Sequence, residues 1–191
     1  KVEAFADQRV VAVLAGYQHG LALTADGAVW SWGGGVFGML GHGDAQNQLL
    51  PKKVEALAGQ RVVAVSAGAF HSIAITADGS VWSWGYGYAC QLGHGDQHNQ
   101  LLPKKVEALA GQRVVAVSAG VDHSVAITAN GAVFTWGKGE HGCLGHGNDQ
   151  SNQLLPKKIE ALAGQRVVAV SAGVGHSLAL TADGAVWSWG F

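Results

Sequence analysis

Charged residues are scarce in this chain of 191 residues. Lys, Arg, Asp and Glu make up 13% of it, about half of the share that is usual in globular proteins, and the formal net charge is -1. Proteins that bind nucleic acids or anionic membranes through bulk charge carry clusters of basic residues. Because the longest basic run here is a Lys-Lys pair, we expect no nucleic-acid partner.

Long apolar runs and a set of paired cysteines are missing as well. No stretch approaches the roughly 18 consecutive apolar residues of a membrane-spanning helix, so we expect a soluble chain without direct membrane insertion. Two cysteines, Cys90 and Cys143, are too few for a disulfide framework. The sequence leaves the cellular compartment open.

What the chain has in abundance is a repeat. The segment KVEALAGQRVVAV occurs at 53–65 and again at 105–117, and close variants begin at residues 1 and 158. The four starting points are 52, 52 and 53 residues apart, a spacing typical of repeat architectures. We predict a single domain, 1–191, built of repeats 1–52, 53–104, 105–157 and 158–191, of which the last is incomplete.

Each repeat predicts four short strands, which we name A to D. In the second repeat they are Val62–Ser66, Ser72–Thr76, Val81–Trp84 and Lys104–Leu109. An Asp-Gly or Asn-Gly dipeptide between strands B and C, such as Asp78-Gly79, predicts a two-residue hairpin with positive φ. Strands rich in Val, Ile and Trp suit sheets that are covered on both faces, and no stretch keeps a helical period. The predicted fold class is therefore all-β.

Four-stranded antiparallel sheets repeated about an axis describe a β-propeller with one blade per repeat. The order of VVAVSAG, ITADG, VWSWG, LGHGD and LLPKKVEAL closely resembles the repeat of the regulator-of-chromosome-condensation family, along the whole chain. The resemblance implies a propeller that usually has seven blades. Since the strands here suffice for about four blades, we favour a part of a larger, seven-bladed ring.

Two other arrangements stay open, because a D strand at Lys1–Phe5 would complete the fourth blade. The chain could close on itself as a four-bladed ring, or two chains could exchange terminal strands and form eight blades. Closure at four would require sharply wedged blades despite the bulky aromatic side chains. A partial ring, in turn, exposes an apolar blade face at each end unless other residues or another chain cover it.

Histidine recurs once per repeat at the start of strand B. Zinc needs four ligands that converge on one point, whereas each of these histidines belongs to its own blade. We interpret them as structural residues whose buried imidazoles bond to loop backbone groups, and we predict no metal site. They are His19, His71, His123 and His176. A second series, spaced in the same way, does not converge either: His42, His94 and His146.

Serine follows three of the strand B histidines directly. Neighbouring residues on a strand point to opposite faces of the sheet, so such a dipeptide does not pair a nucleophile with its base. The glycine-rich segments lack the Gly-Lys-Ser/Thr of a phosphate-binding loop. We therefore predict no catalytic residue, no cofactor and no enzymatic activity.

The repeats differ from one another mainly in two loops. These are the A–B loop, before the strand B histidine, and the C–D loop after Trp-Gly. In an up-and-down blade both loops emerge on the same face, and exposed loops on a rigid scaffold are common recognition sites, with Tyr and Phe as anchors. The residues that we predict to bind a protein partner are Tyr17, Phe37, Phe70, Tyr86, Tyr88, Asp122, Lys138 and Glu140.

Three functions are compatible with these features. The leading hypothesis is a non-enzymatic scaffold for protein–protein interaction, or a subunit of a larger assembly, that binds through the A–B and C–D loop face. The family resemblance implies a second function, nucleotide exchange on a small GTPase, for which Asp122 and His123 are the comparable acidic and histidine pair. Carbohydrate binding is the third, and it would require solvent-exposed tryptophans on the C strands.

Overall fold

The computed structural model describes residues 2–191, which form four antiparallel β-sheets. The first sheet contains β1 (Val10–Ala15), β2 (His19–Thr24), β3 (Val29–Gly33) and β4 (Gln48–Lys53). The second contains β5 (Val62–Ala67), β6 (His71–Thr76), β7 (Val81–Gly85) and β8 (Gln100–Lys105). The third contains β9 (Val114–Ala119), β10 (His123–Thr128), β11 (Val133–Gly137) and β12 (Gln153–Lys158). The fourth contains β13 (Val167–Ala172), β14 (His176–Thr181) and β15 (Val186–Gly190). The predicted all-β fold of antiparallel, propeller-type blades is confirmed.

Helical structure within residues 2–191 is limited to single turns of 3₁₀-helix. These turns are Glu3–Phe5, Val36–Gly38, Glu55–Leu57, Glu107–Leu109, Glu140–Gly142 and Glu160–Leu162. In this part of the chain no helix has the length and apolar character needed to cross a membrane. The loops of residues 2–191 are therefore supported by β-sheets and not by α-helices.

The turn between strands B and C differs from the predicted two-residue hairpin. Residues 25–28 separate β2 from β3, and the N–H of Gly27 donates to the carbonyl of Thr24 at 2.9 Å. Gly27 has a φ of 86°, whereas Asp26 keeps a negative φ and accepts a hydrogen bond from the Thr24 hydroxyl at 2.5 Å. A two-residue type I′ turn needs positive φ at both central residues, so that prediction was wrong. The aspartate acts through its side chain instead.

The outer strand also lies earlier in each repeat than predicted. In the second sheet it is Gln100–Lys105, and the predicted strand Lys104–Leu109 continues as a 3₁₀ turn at Glu107–Leu109. Val106 and Leu109 are both buried there, because residues three apart share one side of a 3₁₀-helix. In a strand they would point to opposite faces. Burial of both apolar side chains thus decides against the strand.

The same correction applies to the start of the chain. Lys1 lies outside the described residues, and Glu3–Phe5 form a 3₁₀ turn. Phe5 packs edge-on against Trp30 and Trp32, with ring centroids 5.6 and 6.0 Å apart. The predicted D strand at Lys1–Phe5 is therefore wrong, and the fourth sheet has three strands within residues 2–191.

The hydrophobic core lies between sheets. Between the first two it joins Leu21 and Val29 of the first sheet to Val65, Ala74 and Trp84 of the second, and equivalent clusters fill the two following junctions. β-branched and aromatic side chains pack well on both faces of a pleated sheet. Because the copies are nearly identical, each junction repeats the same packing and holds the loops of neighbouring blades at a constant spacing.

Candidate interaction surface

A recurrent hydrogen bond joins the strand B histidine of one blade to the next blade. The Nε2 atom of His19 lies 2.9 Å from Oγ of Ser72, and the same pair recurs as His71 with Ser124 at 3.0 Å and as His123 with Ser177. The partner is thus a serine hydroxyl of the neighbouring sheet, and not the loop backbone. His176 is exposed, because within residues 2–191 no further sheet covers it.

The serine of each pair is also tied to a C–D loop. Ser72 Oγ donates to the carbonyl of Met39 at 2.9 Å, and Trp84 Nε1 donates to that same oxygen at 3.0 Å. Since the serine proton is used on the carbonyl, the imidazole of His19 donates to the serine. Burial lowers the pKa of His19 to about 4 and that of His71 to about 3. These histidines are therefore neutral at neutral pH, and each donates a hydrogen bond to its serine instead of accepting the serine proton.

The histidines of the C–D loops brace their own blades. His42 Nε2 lies 2.9 Å from Oγ of Ser31, which also donates to the carbonyl of Leu40 at 2.7 Å. His94 and His146 make the same contact with Ser83 and Thr135, both at 3.0 Å. Among residues 2–191 no group of three or more His, Cys, Asp or Glu side chains is placed to hold a metal ion.

Backbone hydrogen bonds bring the two variable loops of each blade together. The N–H of Tyr86 donates to the carbonyl of Phe70 at 2.9 Å, and the N–H of Lys138 donates to that of Asp122 at 2.8 Å. Residues predicted from two separate loops therefore lie side by side. The A–B and C–D loops of a blade therefore contribute side chains to one surface.

Five aromatic residues form one contiguous group on this surface, here called the aromatic cluster. Ring centroids lie 5.8 Å apart for Tyr17 and Phe70, 5.9 Å for Phe37 and Phe70, and 4.7 Å for Phe37 and Tyr86. Tyr86 lies 6.4 Å from Tyr88. Tyr17 is 74% exposed and Tyr88 68%, while the other three are half-buried. The cluster spans the first two blades and presents apolar rings to solvent.

The three charged residues of the predicted set lie on the third blade. Lys138 Nζ contacts Glu140 Oε2 at 2.6 Å, and this hydrogen bond raises the pKa of Lys138 and lowers the pKa of Glu140. Asp122 is half-buried, and burial raises its pKa while Lys138 opposes the change. The predicted residues thus divide into an aromatic and a charged part.

Two apolar residues of the same loops were missed by the sequence analysis. Val174 is 75% exposed and Val36 is also exposed, and both belong to the variable A–B and C–D segments. Their position in the variable loops could have identified them, but the predicted set included only aromatic and charged residues. Val36 precedes Phe37 of the aromatic cluster, whereas Val174 lies on the fourth blade.

The residues that nucleotide exchange or carbohydrate binding would require do not form an accessible group on the loop face. His123 is buried against Ser177, so it does not join Asp122 on the loop face. Trp84 and Trp136 are fully buried between sheets, where sugar rings have no access. Trp187 is exposed on the fourth sheet, away from the loops.

Comparison with known sequences gives consistent matches. The profile of the RCC1-like domain matches residues 1–191. The chain is 42% identical over 191 residues to the human E3 ubiquitin-protein ligase HERC2, and it covers 4% of that protein. It is 39% identical over 183 residues to the ultraviolet-B receptor UVR8 of Arabidopsis thaliana, of which it covers 41%.

Solved structures show the same architecture. Human WBSCR16 superposes with a TM-score of 0.88 at 30% identity, over 96% of this chain and 48% of that one. Prp20p from Saccharomyces cerevisiae superposes with a TM-score of 0.81 at 27% identity, over 90% of this chain and 43% of that one. The chain thus spans less than half the length of each of these four proteins.

Proposed function

Because the chain belongs to the RCC1-like family of β-propellers, we propose that it acts by binding another protein through the aromatic cluster and the adjoining charged residues of the loop face. The proposal assigns no chemistry to the propeller itself. Its histidines and serines are engaged in holding blades together, so binding is the activity that its surface offers.

The aromatic cluster is the observation that carries this proposal. Tyr and Phe are typical anchors of protein interfaces because they bury a large area with few rotatable bonds. Here each ring rests on another, from Tyr17 through Phe70 to Tyr88. Rings that are already held lose little side-chain entropy when a partner covers them. A preformed apolar surface of this kind favours association.

The relatives support binding as the general mode of action. Prp20p is described by its binding properties to Gsp1p and histones, and a second structure shows yeast RCC1 with Kap60 bound to it. Those partners belong to those proteins. For this chain we propose a protein partner whose identity is set by the loop residues, since fold does not determine function.

The double substitution Tyr86→Ala and Tyr88→Ala tests the proposal. Truncation of an interface anchor costs about 2 kcal/mol or more, which is roughly a 30-fold loss of affinity. We therefore expect proteins captured by the parent chain to be lost from the variant. The readout is quantitative mass spectrometry of captured proteins, with matched amounts of each bait.

The matched control is the double substitution Leu49→Ala and Leu50→Ala. Both leucines are strongly exposed on β4, so this variant also removes two exposed apolar side chains, but from a strand and not from an A–B or C–D loop. Captured proteins should persist with the control. If every captured protein is retained equally by both variants, with folding verified by circular dichroism, the aromatic cluster is not the binding surface.

A further inference from the structure

A cavity recurs at each junction between neighbouring sheets, at the end of the strands that lies opposite to the A–B and C–D loops. It is bordered by the B–C turn of one sheet and by the segment that leads into strand A of the next. These junction cavities, numbered along the chain, have volumes of about 270, 320 and 280 Å³. Because each lies between two sheets of the same chain, they can be compared position by position.

Each junction cavity combines buried apolar residues with basic ones. In the third cavity Ile159 and Leu162 are buried, while Lys158 and Arg166 are exposed, and all four line the cavity. The equivalent lining residues are Lys53, Val54, Leu57 and Arg61 in the first cavity and Lys105, Val106, Leu109 and Arg113 in the second. The three cavities therefore share an apolar base and two cationic side chains.

The cavities differ in the residue that the B–C turn contributes. It is Asp26 in the first, Asp78 in the second and Asn130 in the third. In the first two, one carboxylate accompanies the two cations. Within residues 2–191, none of the residues that line the third cavity carries a carboxylate. A pair of basic side chains without a carboxylate favours an anionic ligand.

Asn130 preserves the turn and supplies a donor to the cavity. Its Oδ1 atom accepts hydrogen bonds from the Thr128 hydroxyl at 2.5 Å and from the N–H of Ala132 at 3.3 Å. Asp78 holds its own turn in the same way, through Thr76 and the N–H of Ser80. Since Oδ1 is used within the turn, the amide nitrogen of Asn130 is the atom left for a ligand. The exchange of Asp for Asn thus alters the cavity and keeps the turn.

The neighbouring lysine reflects this difference in charge. Hydrogen bonds within the turn lower the pKa of Asp78, and the charge of Lys105 lowers it further. Lys105 is half-buried, whereas Lys158, whose cavity has no such carboxylate, is exposed. Lys158 contacts Glu160 at 3.9 Å, but exposed pairs of this kind contribute little, and Glu160 lines a different hollow. Lys158 is therefore available to a ligand in the third cavity.

We propose that the third junction cavity binds an organic carboxylate that carries a small apolar group, such as the C-terminal residue of a polypeptide or a free acid of that kind. The planar guanidinium of Arg166 suits a carboxylate, and Lys158 and Asn130 supply further donors. Ile159 and Leu162 contact the apolar group. The site is separate from the aromatic cluster, since the length of the strands lies between them.

Small probes test the chemistry of the ligand. N-acetyl-leucine is titrated into the parent chain, and NMR shifts of the Asn130 side-chain amide and of the Arg166 Nε–H are followed. We expect saturable shifts at both groups. N-acetyl-leucinamide lacks the carboxylate and inorganic phosphate lacks the apolar group, so each should bind at least about tenfold more weakly. N-acetyl-Ala-Ala-Leu identifies the source: tighter binding than N-acetyl-leucine supports the C-terminus of a polypeptide, and weaker binding supports a free acid.

Exchanges between Asp and Asn test the assignment to this cavity. Asn130→Asp introduces a carboxylate and should weaken the binding of N-acetyl-leucine at least about tenfold. Asp78→Asn removes one from the second cavity and should create a second site, with saturable shifts at Arg113. The matched control is Gln150→Glu, which adds the same charge at an exposed position of a C–D loop and should change the affinity by less than about twofold.

Four results would overturn the proposal. The first is a set of shifts that does not saturate at tens of millimolar N-acetyl-leucine, and the second is equal affinity for N-acetyl-leucine and its amide. The third is equal affinity of N130D and Q150E when both are folded by circular dichroism. The fourth is a folded D78N variant that gains no second site, because the turn carboxylate would then not decide whether a junction cavity binds an anion.

Discussion

Removal of one buried hydroxyl should loosen the junction between the second and third sheets. Ser124 accepts a hydrogen bond from His71 Nε2 at 3.0 Å and donates one to the carbonyl of Gln91 at 2.8 Å. The substitution Ser124→Ala removes both bonds and leaves the strand and its apolar contacts in place. The imidazole of His71 is then buried with no acceptor for its proton.

The size of the effect follows from what remains unpaired. A buried donor without a partner costs about 1 to 3 kcal/mol, and a lost neutral hydrogen bond about 1 kcal/mol. The carbonyl of Gln91 keeps its bond from Trp136 Nε1 at 2.8 Å, so its loss is partial. We expect the free energy of unfolding to fall by about 2 to 3 kcal/mol.

Urea unfolding, followed by tryptophan fluorescence and by circular dichroism, measures this change, and the two probes must coincide for a two-state analysis. The control is Ser171→Ala, which removes an exposed hydroxyl from the strand VVAVSA of the fourth sheet. If Ser124→Ala and Ser171→Ala agree within about 0.5 kcal/mol, the hydrogen-bonded junction contributes nothing and the reasoning is refuted.

Three further predictions concern the same junctions. Burial lowers the folded-state pKa of His71 to about 3, far below its unfolded value. The free energy of unfolding should therefore be full above pH 7 and fall as the pH drops towards 4, by about 2 kcal/mol per buried histidine at pH 5. Urea midpoints that do not change between pH 7 and pH 5 would contradict this. Gly68→Ala should destabilise the fold by about 3 kcal/mol, since the new Cβ would lie 2.5 Å from the His71 ring. Gly111 lies in open space at a φ of 80°, so Gly111→Ala should destabilise it by only about 1 kcal/mol. Equal losses of stability in thermal unfolding would refute the steric reason. Leu109→Ala should destabilise the fold by about 3 kcal/mol because Leu109 is buried. Leu102 is exposed, so Leu102→Ala should destabilise it by less than about 1 kcal/mol. The reverse order in urea unfolding would mean that the outer strand, and not the 3₁₀ turn, provides the stabilising apolar contact.

The inner three strands of each blade were predictable because local signals agree there. In Val62–Ala67 and His71–Thr76, three of six residues are β-branched and a turn that contains glycine follows. The outer strand was misplaced because the local sequence KKVEAL does not distinguish a continuing strand from a 3₁₀ turn at the end of one. Its true conformation depends on burying both Val106 and Leu109 in the neighbouring blade, which local patterning does not reveal.

The contacts between blades could not be predicted residue by residue. His19 meets Ser72, which lies 53 positions later, and that distance is set by how one sheet stacks on the next. The loop face itself followed from topology, so Phe70 and Tyr86 were expected on one surface. Which rings touch, such as Phe37 with Tyr86 at 4.7 Å, depends on the curvature of the stack.

The C–D loops are held by hydrogen bonds to their backbone, which leaves their side chains able to vary. Met39, Gln91 and Cys143 occupy equivalent places in three blades, and each offers only its carbonyl to the serine and tryptophan of the next blade. The backbone provides the same acceptor whatever the side chain. Neighbouring blades can therefore diverge in recognition while their stacking stays constant, so one uniform frame can evolve a different specificity at every blade.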